Sequence, residues 1–397
     1  MDRNALVMRN RAMAEAYHTT PFKHHIRRVM LYSLAALPIF PQRTARAAER
    51  ILLIRPDHLG DMLLTTPAIN ALRRARPFAQ IHALVGPWGA PVLETNEDLD
   101  AVVTLSFPGF NRSGNENLRS PYQMALRTAR QLRRIGYTHA VILRPDHWWG
   151  AMVAFLAGIP LRIGYNLDDV APFLTERIPF EHQHAVLQNM RLVQHWTGPV
   201  DPDTIPLTYT FEERDSGYAR GYLEAWGLQP DDRYFCIHPG SGTWVKRWMA
   251  ESWRSVAETL ADQIQATPVF TGSDQELPLV REIVEGMTLK ACIMAGDTTI
   301  GQLAAVFAGA VLVLGPDSGP LHLAAAVRTP TVGLFGPADP VEFRQWGPPE
   351  QHYILTSDIG CRPCRVLDWG GDDPANHPCL REITVGRVLD AARRATR

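Results

Sequence analysis

Residues 311–340, VLVLGPDSGPLHLAAAVRTPTVGLFGPADP, hold the residue types an anion site needs, in a workable order. The apolar run 311–314 reads as a buried strand. Gly315-Pro316-Asp317-Ser318-Gly319 follows, then a helix-forming run over 321–327. Pro320 suits the first helical turn, where its missing N–H costs nothing. A tight glycine loop opening onto a helix N-terminus offers a phosphate free backbone N–H groups and the positive end of the helix dipole. Ser318 and Gly319 would make those contacts. His322, one turn further, would either face the diphosphate or satisfy a buried contact. Asp317 repels phosphate, so its presence suits a ligand that also offers hydroxyls, as a nucleotide sugar does. The same residues fit an ordinary strand-to-helix turn capped by Ser318.

A second such loop lies near the start. Residues 51–54, ILLI, read as a strand, Arg55-Pro56-Asp57-His58-Leu59-Gly60-Asp61 as a polar turn, and 62–75 as an amphipathic helix. A carboxylate at a helix N-terminus is favoured as an anion. Asp61 could therefore take a proton from a hydroxyl nucleophile, or serve simply as an N-cap. Residues 237–243, IHPGSGT, also follow a strand, and their small side chains let backbone and hydroxyl groups approach a phosphate. Thr243 belongs to this loop. Lys246 and Arg247 come next and could neutralise a leaving diphosphate, although Lys246 also reads as a solvated lysine. Trp248 and Trp253 fit core anchors of the following helix better than ligand contacts. In 271–276, TGSDQE, Asp274 or Glu276 could accept hydrogen bonds from ribose hydroxyls; Glu276 equally reads as a first-turn helix acid. Arg-Pro-Asp-His occurs at 55–58 and again at 144–147, each time just after a strand, so both copies should open onto one sheet edge.

The elements that must position these loops alternate along the chain. Strands are expected at 51–54, 81–85, 101–105, 140–143 and 162–164, with helices at 62–75, 122–135 and 151–157. Gly198-Pro199-Val200-Asp201-Pro202-Asp203 looks like a linker. A second series places strands at 234–238, 268–271, 291–294, 311–314 and 331–335. Its helices fall at 250–264, 276–285, 300–308 and 385–394. Such alternation predicts parallel sheets covered on both faces. The chain divides into an arm (1–50), a first α/β domain (51–200) and a second (201–397).

Composition narrows the function. A chain of 397 residues suits two domains. Its formal charge of −1 argues against nucleic acid as partner. The arm differs: residues 1–50 carry nine Arg or Lys against three acids, a net +6, leaving −7 for the remainder. Its apolar run 29–40, VMLYSLAALPIF, is too short to span a bilayer. The run could lie in a membrane interface or pack as an extra helix on the first domain. Five cysteines do not make a disulfide scaffold, so a reducing cytoplasm is the expected setting. Cys361-Arg362-Pro363-Cys364 with Cys379 and His377 has a metal-like spacing; a reduced structural cluster or a labile disulfide is the plainer reading, and no metal is assigned.

The loops in this order resemble glycosyltransferase family 9, the ADP-heptose:lipopolysaccharide heptosyltransferases. The matching stretches are ILLIRPDHLGDMLLTTPAINALRRARP, LRPDHWWGAMVAFLAGIPLRIGY, IHPGSGTWVKRWMAESW and PDSGPLHLAAAVRTPTVGLFGPADP, closed by CRPC. The resemblance runs from about Ile51 to the C-terminus. It implies a GT-B fold, two Rossmann-like doubly wound α/β domains facing across a cleft. It implies inverting, metal-independent transfer from a nucleotide sugar, with ADP-heptose as donor, no cofactor, and an anionic glycolipid as acceptor at the inner face of the inner membrane. Asp61 would act as base and Lys246 on the leaving group. Thr243, Glu276, Asp317, Ser318, Gly319 and His322 would hold the donor. Arg144 and His184 would bind the acceptor, with Asn189 in the same histidine-containing segment. Arg144 or Arg162 would meet an acceptor carboxylate, unless Arg144 is a structural ion-pair residue. Met249 stands where the family usually has Pro, and the further Cys of many family tails is absent. A different donor sugar, or a non-catalytic nucleotide-sugar-binding protein, are the competing readings; retention of Asp61 speaks against the latter.

Overall fold

The computed structural model describes residues 2–19, 21–36, 49–110, 120–201, 204–369 and 376–397. The chain divides into two compact units, Thr20–Ile205 and Met1–Thr19 with Pro206–Arg397. Pro202 and Asp203 of the expected linker lie outside the described residues, as does the 37–40 end of the apolar run.

The N-terminal unit contains six parallel strands: β1 (Arg50–Arg55), β2 (Gln80–Val85), β3 (Ala101–Thr104), β4 (His139–Ile142), β5 (Leu161–Tyr165) and β6 (Glu176–Ile178). The C-terminal unit contains β7 (Tyr234–Ile237), β8 (Thr267–Phe270), β9 (Cys292–Ile293), β10 (Val313–Pro316), β11 (Thr331–Phe335) and β12 (His352–Thr356), also parallel. The sheet orders are β3-β2-β1-β4-β5-β6 and β12-β11-β10-β7-β8-β9. Numbered from its own first strand, each sheet has the order 3-2-1-4-5-6. Chain progression reverses between strands 1 and 4, and ligands of doubly wound sheets bind outside the carboxyl ends at that switch point. The loops after β1 and β4 and the loops after β7 and β10 therefore occupy the binding edge of each sheet. These are two Rossmann-like doubly wound sheets, the GT-B fold class.

The core explains why the strands read as unbroken apolar runs. Ile51, Leu52, Leu53 and Ile54 are buried on both faces, as are Phe235, Cys236 and Ile237. Each such Leu or Ile contributes about 1.5–3 kcal/mol relative to an exposed position. Short β6 and β12 escaped the pattern because they are edge strands with mixed burial.

Two local expectations need correction. The single helix expected over 62–75 is two, here α3 (Leu59–Leu63) and α4 (Thr66–Ala75). Pro67 has no N–H for the carbonyl of Leu63. The Thr66 hydroxyl donates to that carbonyl instead, and the Thr65 hydroxyl donates to the carbonyl of Met62. The strand expected at 311–314 is displaced to Val313–Pro316, because β10 pairs with β11 as far as Pro316 and Leu334. Gly315 is required there, since a Cβ would meet the carbonyl oxygen of His238 at 2.6 Å.

The basic arm is not one piece. Its first helix (Arg3–His18) belongs with the C-terminal unit. Arg3 pairs with Glu382 at 3.0 Å, and Arg9 donates to the carbonyl of Asn376 at 3.0 Å. Its second helix (Phe22–Ala35) packs on the N-terminal unit. Leu31 joins the core, Arg27 pairs with Asp169, and Arg28 pairs with Asp168 and Asp169 at 2.8 and 2.9 Å. Phe22, Ile26, Val29 and Met30 of the second helix stay exposed. No helix among the described residues is long and apolar enough to cross a membrane.

Candidate active site

In the N-terminal unit the two Arg-Pro-Asp-His copies open onto one sheet edge, as the repeat predicted, and the strands they follow, β1 and β4, are neighbours. Their charged residues cross-pair. Asp57 lies between Arg55, at 3.0 Å, and Arg144. Arg144 also holds Asp146 at 2.6 Å, and Arg55 holds Asp61 at 3.3 Å. Burial pushes the Asp57 carboxyl up, but the charges of Arg55 and Arg144 and the hydrogen bond from Arg144 outweigh it and leave its pKa below the usual carboxylate range. Asn189 fixes Arg55, accepting from its guanidinium at 2.9 Å, and donates to the carbonyl of Leu64 at 2.8 Å beside the α3–α4 break. Asp61 is thus the third residue of α3 rather than its cap, which is His58. Its side chain remains about a third exposed beside Arg55.

His147, at the end of the second copy, is buried, and neither ring nitrogen has a hydrogen-bond partner. Burial lowers its pKa to about 4, so the ring is neutral at pH 7. Arg144 and His147 line a cavity of about 980 Å³ in this unit. The two other expected acceptor groups do structural work. Arg162 is buried and donates to the carbonyls of Phe173 and Ile159, both at 2.5 Å, so it does not reach an acceptor carboxylate. His184 is the buried N-cap of the helix Ala185–Thr197, accepting from the amide of Val186 at 3.2 Å, and it does not line that cavity.

In the C-terminal unit the loops after β7 and β10 meet through Lys246, whose Nζ donates to Asp317 Oδ2 at 2.5 Å. Both side chains are largely buried. Ser318 is the N-cap of the helix Gly319–Ala326, yet its hydroxyl makes no cap bond and is buried without a partner. The plain capping reading of Ser318 therefore fails, and its hydroxyl stays available beside the Gly319 helix start. His322 is buried with Nδ1 unpartnered, and burial lowers its pKa to about 4. Glu276 receives the Ser273 amide and hydroxyl at 2.8 and 2.9 Å and lies 3.7 Å from His238. It reaches the loop after β7 because residue 240 is glycine: a Cβ there would fall 2.0 Å from Glu276 Oε1. Thr243 donates its hydroxyl to the carbonyl of Leu367 at 2.5 Å. Trp248 and Trp253 are core residues, ring centroids 4.8 Å apart.

Cys361, Cys364 and Cys379 are free and buried, and burial pushes the Cys379 thiol up to about 12. Their sulfurs do not all lie within 4.8 Å of one another.

Sequence reasoning passed over Arg55 and Asp57 as site residues. The Arg-Pro-Asp-His repeat was the available signal, because equivalent Arg and Asp residues on adjacent strands must meet. The role of Gly240 carried no signal until Glu276 could be placed beside it.

Two doubly wound sheets with charged loops at both switch points define a protein of the GT-B fold class. The model of glycosyltransferase family 9 (heptosyltransferase) matches residues 125–368. Lipopolysaccharide heptosyltransferase 3 of Escherichia coli K12 is 30% identical over 297 residues, covering 72% of this chain and 82% of that protein. Lipopolysaccharide heptosyltransferase 2 of the same organism is 25% identical over 362 residues, covering 86% and 97%. A family 9 glycosyltransferase of Veillonella parvula superposes with a TM-score of 0.71 at 24% identity, over 88% of this chain and 97% of that one. ADP-heptose lipopolysaccharide heptosyltransferase II of E. coli gives 0.69 at 20% identity, over 87% and 98%. The chain belongs to glycosyltransferase family 9 and is a glycosyltransferase.

Proposed function

We propose that the protein transfers L-glycero-D-manno-heptose from ADP-heptose to a hydroxyl of a lipopolysaccharide-core or related glycan, by inversion and without a metal ion. The observation that carries this reading is the Lys246–Asp317 pair across the β7/β10 switch point, beside the uncapped helix start at Ser318-Gly319. A cation and free backbone N–H groups suit a diphosphate, and an acid in the same place suits sugar or ribose hydroxyls. The Escherichia coli relatives named above are lipopolysaccharide heptosyltransferases, which supports heptose as the sugar.

In the reaction the acceptor hydroxyl gives its proton to Asp61 as its oxygen bonds to the anomeric carbon. The bond from that carbon to the diphosphate breaks on the opposite face, and ADP leaves with the electron pair. Lys246 and the Gly319 helix start meet the developing charge. Glu276 and Thr243 lie on loops of the same sheet edge and hold the nucleotide, with His322 facing the diphosphate. Arg55 holds Asp61 in place. The acceptor is an anionic glycolipid, and the enzyme works at the cytoplasmic face of the inner membrane. The exposed Phe22, Ile26, Val29 and Met30, on a helix that also carries Arg27 and Arg28, support contact with that surface.

A donor screen tests the reading: ADP-heptose, UDP-sugars and GDP-sugars with deacylated inner-core acceptor, in EDTA, with nucleotide release and product mass as readouts. ADP-heptose should be consumed, acceptor-dependently. Preference for a UDP- or GDP-sugar refutes the donor assignment. Loss of activity in EDTA restored by magnesium refutes metal independence.

A further inference from the structure

Lys246 ends a single 3-10 turn, Trp244–Lys246, between the loop after β7 and the helix Ala250–Ile264. So short a turn has little internal support, and its position is set by what its side chains touch. Downstream, Trp248 anchors the chain in the main core of the C-terminal unit. Upstream, the support comes from the cysteine-containing tail. Thr243 donates its hydroxyl to the carbonyl of Leu367 at 2.5 Å. Trp244 donates its indole N–H to the carbonyl of Trp369 at 3.2 Å. Val245 is buried in a small, separate core with Cys364, Val366 and Trp369. All three residues ahead of Lys246 therefore rest on residues 364–369.

That tail is in turn held by the first arm helix, Arg3–His18, which lies outside the stretch the family model matches. Ala14 packs against the small core that holds Val245. The Arg9 guanidinium lies 5.4 Å from the centre of the Trp369 ring and donates to the carbonyl of Asn376 at 3.0 Å. His377, the next residue, sets its ring against both Trp244 and Trp369, with centroids 5.0 and 4.5 Å away. Tyr17 donates its hydroxyl to the carbonyl of Asp368 at 3.3 Å. Asn10 is buried and hydrogen-bonds the Cys361 sulfur.

A shift of this turn has more effect than its few contacts suggest. Lys246 Nζ lies 2.5 Å from Asp317 Oδ2, and both side chains are largely buried. A charge-assisted bond of that length leaves little room for movement. Misplacing a substrate-gripping group by about 1 Å can lower a rate by about a hundredfold. The route from the arm helix to Lys246 runs through the small core, so residues far from the chemistry set where the cation stands.

We propose that the first arm helix is a brace for the donor site: Arg9 and Ala14 are positioning residues that, through Trp369 and Val245, hold the turn that presents Lys246. The proposal rests on the reading of Lys246 as a donor group, and two readouts separate the two. The full-length variants are Arg9→Ala, at a half-buried surface position, and Ala14→Asp, which sets a carboxylate against the small core. Arg11→Ala, on the exposed side of the same helix, is the control. The first readout is deuterium exchange of the amides of residues 243–247 without nucleotide, which reports local opening. Exchange should quicken in both variants and not in the control. The second is calorimetry with ADP-heptose, where each variant should weaken binding about three- to tenfold. In a Lys246→Ala background the same changes should alter the Kd by less than about twofold, because coupled residues do not add. A merely structural helix would lower Tm and leave this coupling at zero. Unchanged exchange in both variants overturns the proposal. So does an equal loss of affinity in the Lys246→Ala background, which puts the effect of the helix elsewhere. Faster exchange with unaltered affinity, where Lys246→Ala itself weakens binding, overturns it too. If exchange quickens in both variants but Lys246→Ala leaves ADP-heptose affinity unchanged, the brace stands and the donor reading of Lys246 falls.

Discussion

Replacing Asp57 by Ala probes the charge series at its centre. The Asp57 and Arg55 side chains are each only 6% exposed. Removing one partner of a buried ion pair usually costs about 3–5 kcal/mol, because the other charge is left uncompensated. Here both orphans keep a second carboxylate: Arg55 keeps Asp61 at 3.3 Å and Arg144 keeps Asp146 at 2.6 Å. The expected cost is therefore smaller, about 2–4 kcal/mol. For a folding unit of this size each kcal/mol lowers Tm by about 2–4 °C, so the variant should melt roughly 5–15 °C below the wild type at pH 7. Differential scanning calorimetry on the whole chain measures it. The sign with pH follows from the lowered Asp57 pKa. The pairs stabilise fully above the unfolded value of about 3.9 and are lost as pH falls through the lower folded value. The gap between variant and wild type should thus persist to about pH 4 and close only below it. Adding Arg144→Gln to the variant should recover part of the loss, since it removes an orphan charge. A Tm change under 2 °C, or a gap that closes between pH 7 and 5, refutes the reasoning.

Asp61→Asn should lower turnover by about two to four orders of magnitude and leave ADP-heptose affinity intact; near-normal turnover in steady-state kinetics would remove Asp61 as base. Lys246→Ala and Asp317→Ala should each weaken ADP-heptose binding about ten- to a hundredfold, the loss of one charge-assisted contact of about 1.5–3 kcal/mol; calorimetry showing unchanged affinity in both would take the pair out of the donor site. His147 and His322, with folded pKa values of about 4, bind fewer protons than the unfolded chain between pH 6.5 and 4. Stability should therefore fall as pH drops through that window, by up to roughly 3 kcal/mol per histidine. Urea titrations of His147→Phe should show a shallower fall, and parallel curves would contradict it. Val29→Asp with Met30→Asp should reduce flotation with anionic liposomes at low salt without shifting Tm by more than a few degrees; equal flotation of variant and wild type would end the membrane-surface reading. Deleting the whole arm is a poorer test, because Leu31, Arg27, Arg28 and Asn10 make it part of both units.

Much of this architecture was readable in advance, for identifiable reasons. Buried parallel strands announce themselves as apolar runs, so β1, β7 and β11 fell where expected. The Arg-Pro-Asp-His repeat foretold two loops on one edge, since a repeated turn after neighbouring strands has nowhere else to open. What escaped was whatever depended on a distant partner. Arg162 looks like a ligand group until the carbonyls of Phe173 and Ile159 are seen to surround it. His184 looks like a binding histidine until the helix start it caps is placed. The arm read as one basic segment because nothing local says that Arg3 will find Glu382 while Arg28 finds Asp169. Pro67 was the exception: the break between α3 and α4 was written in Thr-Thr-Pro, and the helical periodicity around it masked the signal.

The shared strand order of the two sheets has a bearing on how such a protein changes. Each half carries its own complete switch point, so the charged groups after β1 and β4 are anchored in a different hydrophobic core from those after β7 and β10. Substitutions after β1 and β4 can change one set while the Lys246–Asp317 pair and its supporting core go untouched. On the division of labour proposed above, selection can explore new acceptors at a fixed donor, and an engineer grafting another relative's first half onto this second half would be cutting along a line the topology already provides.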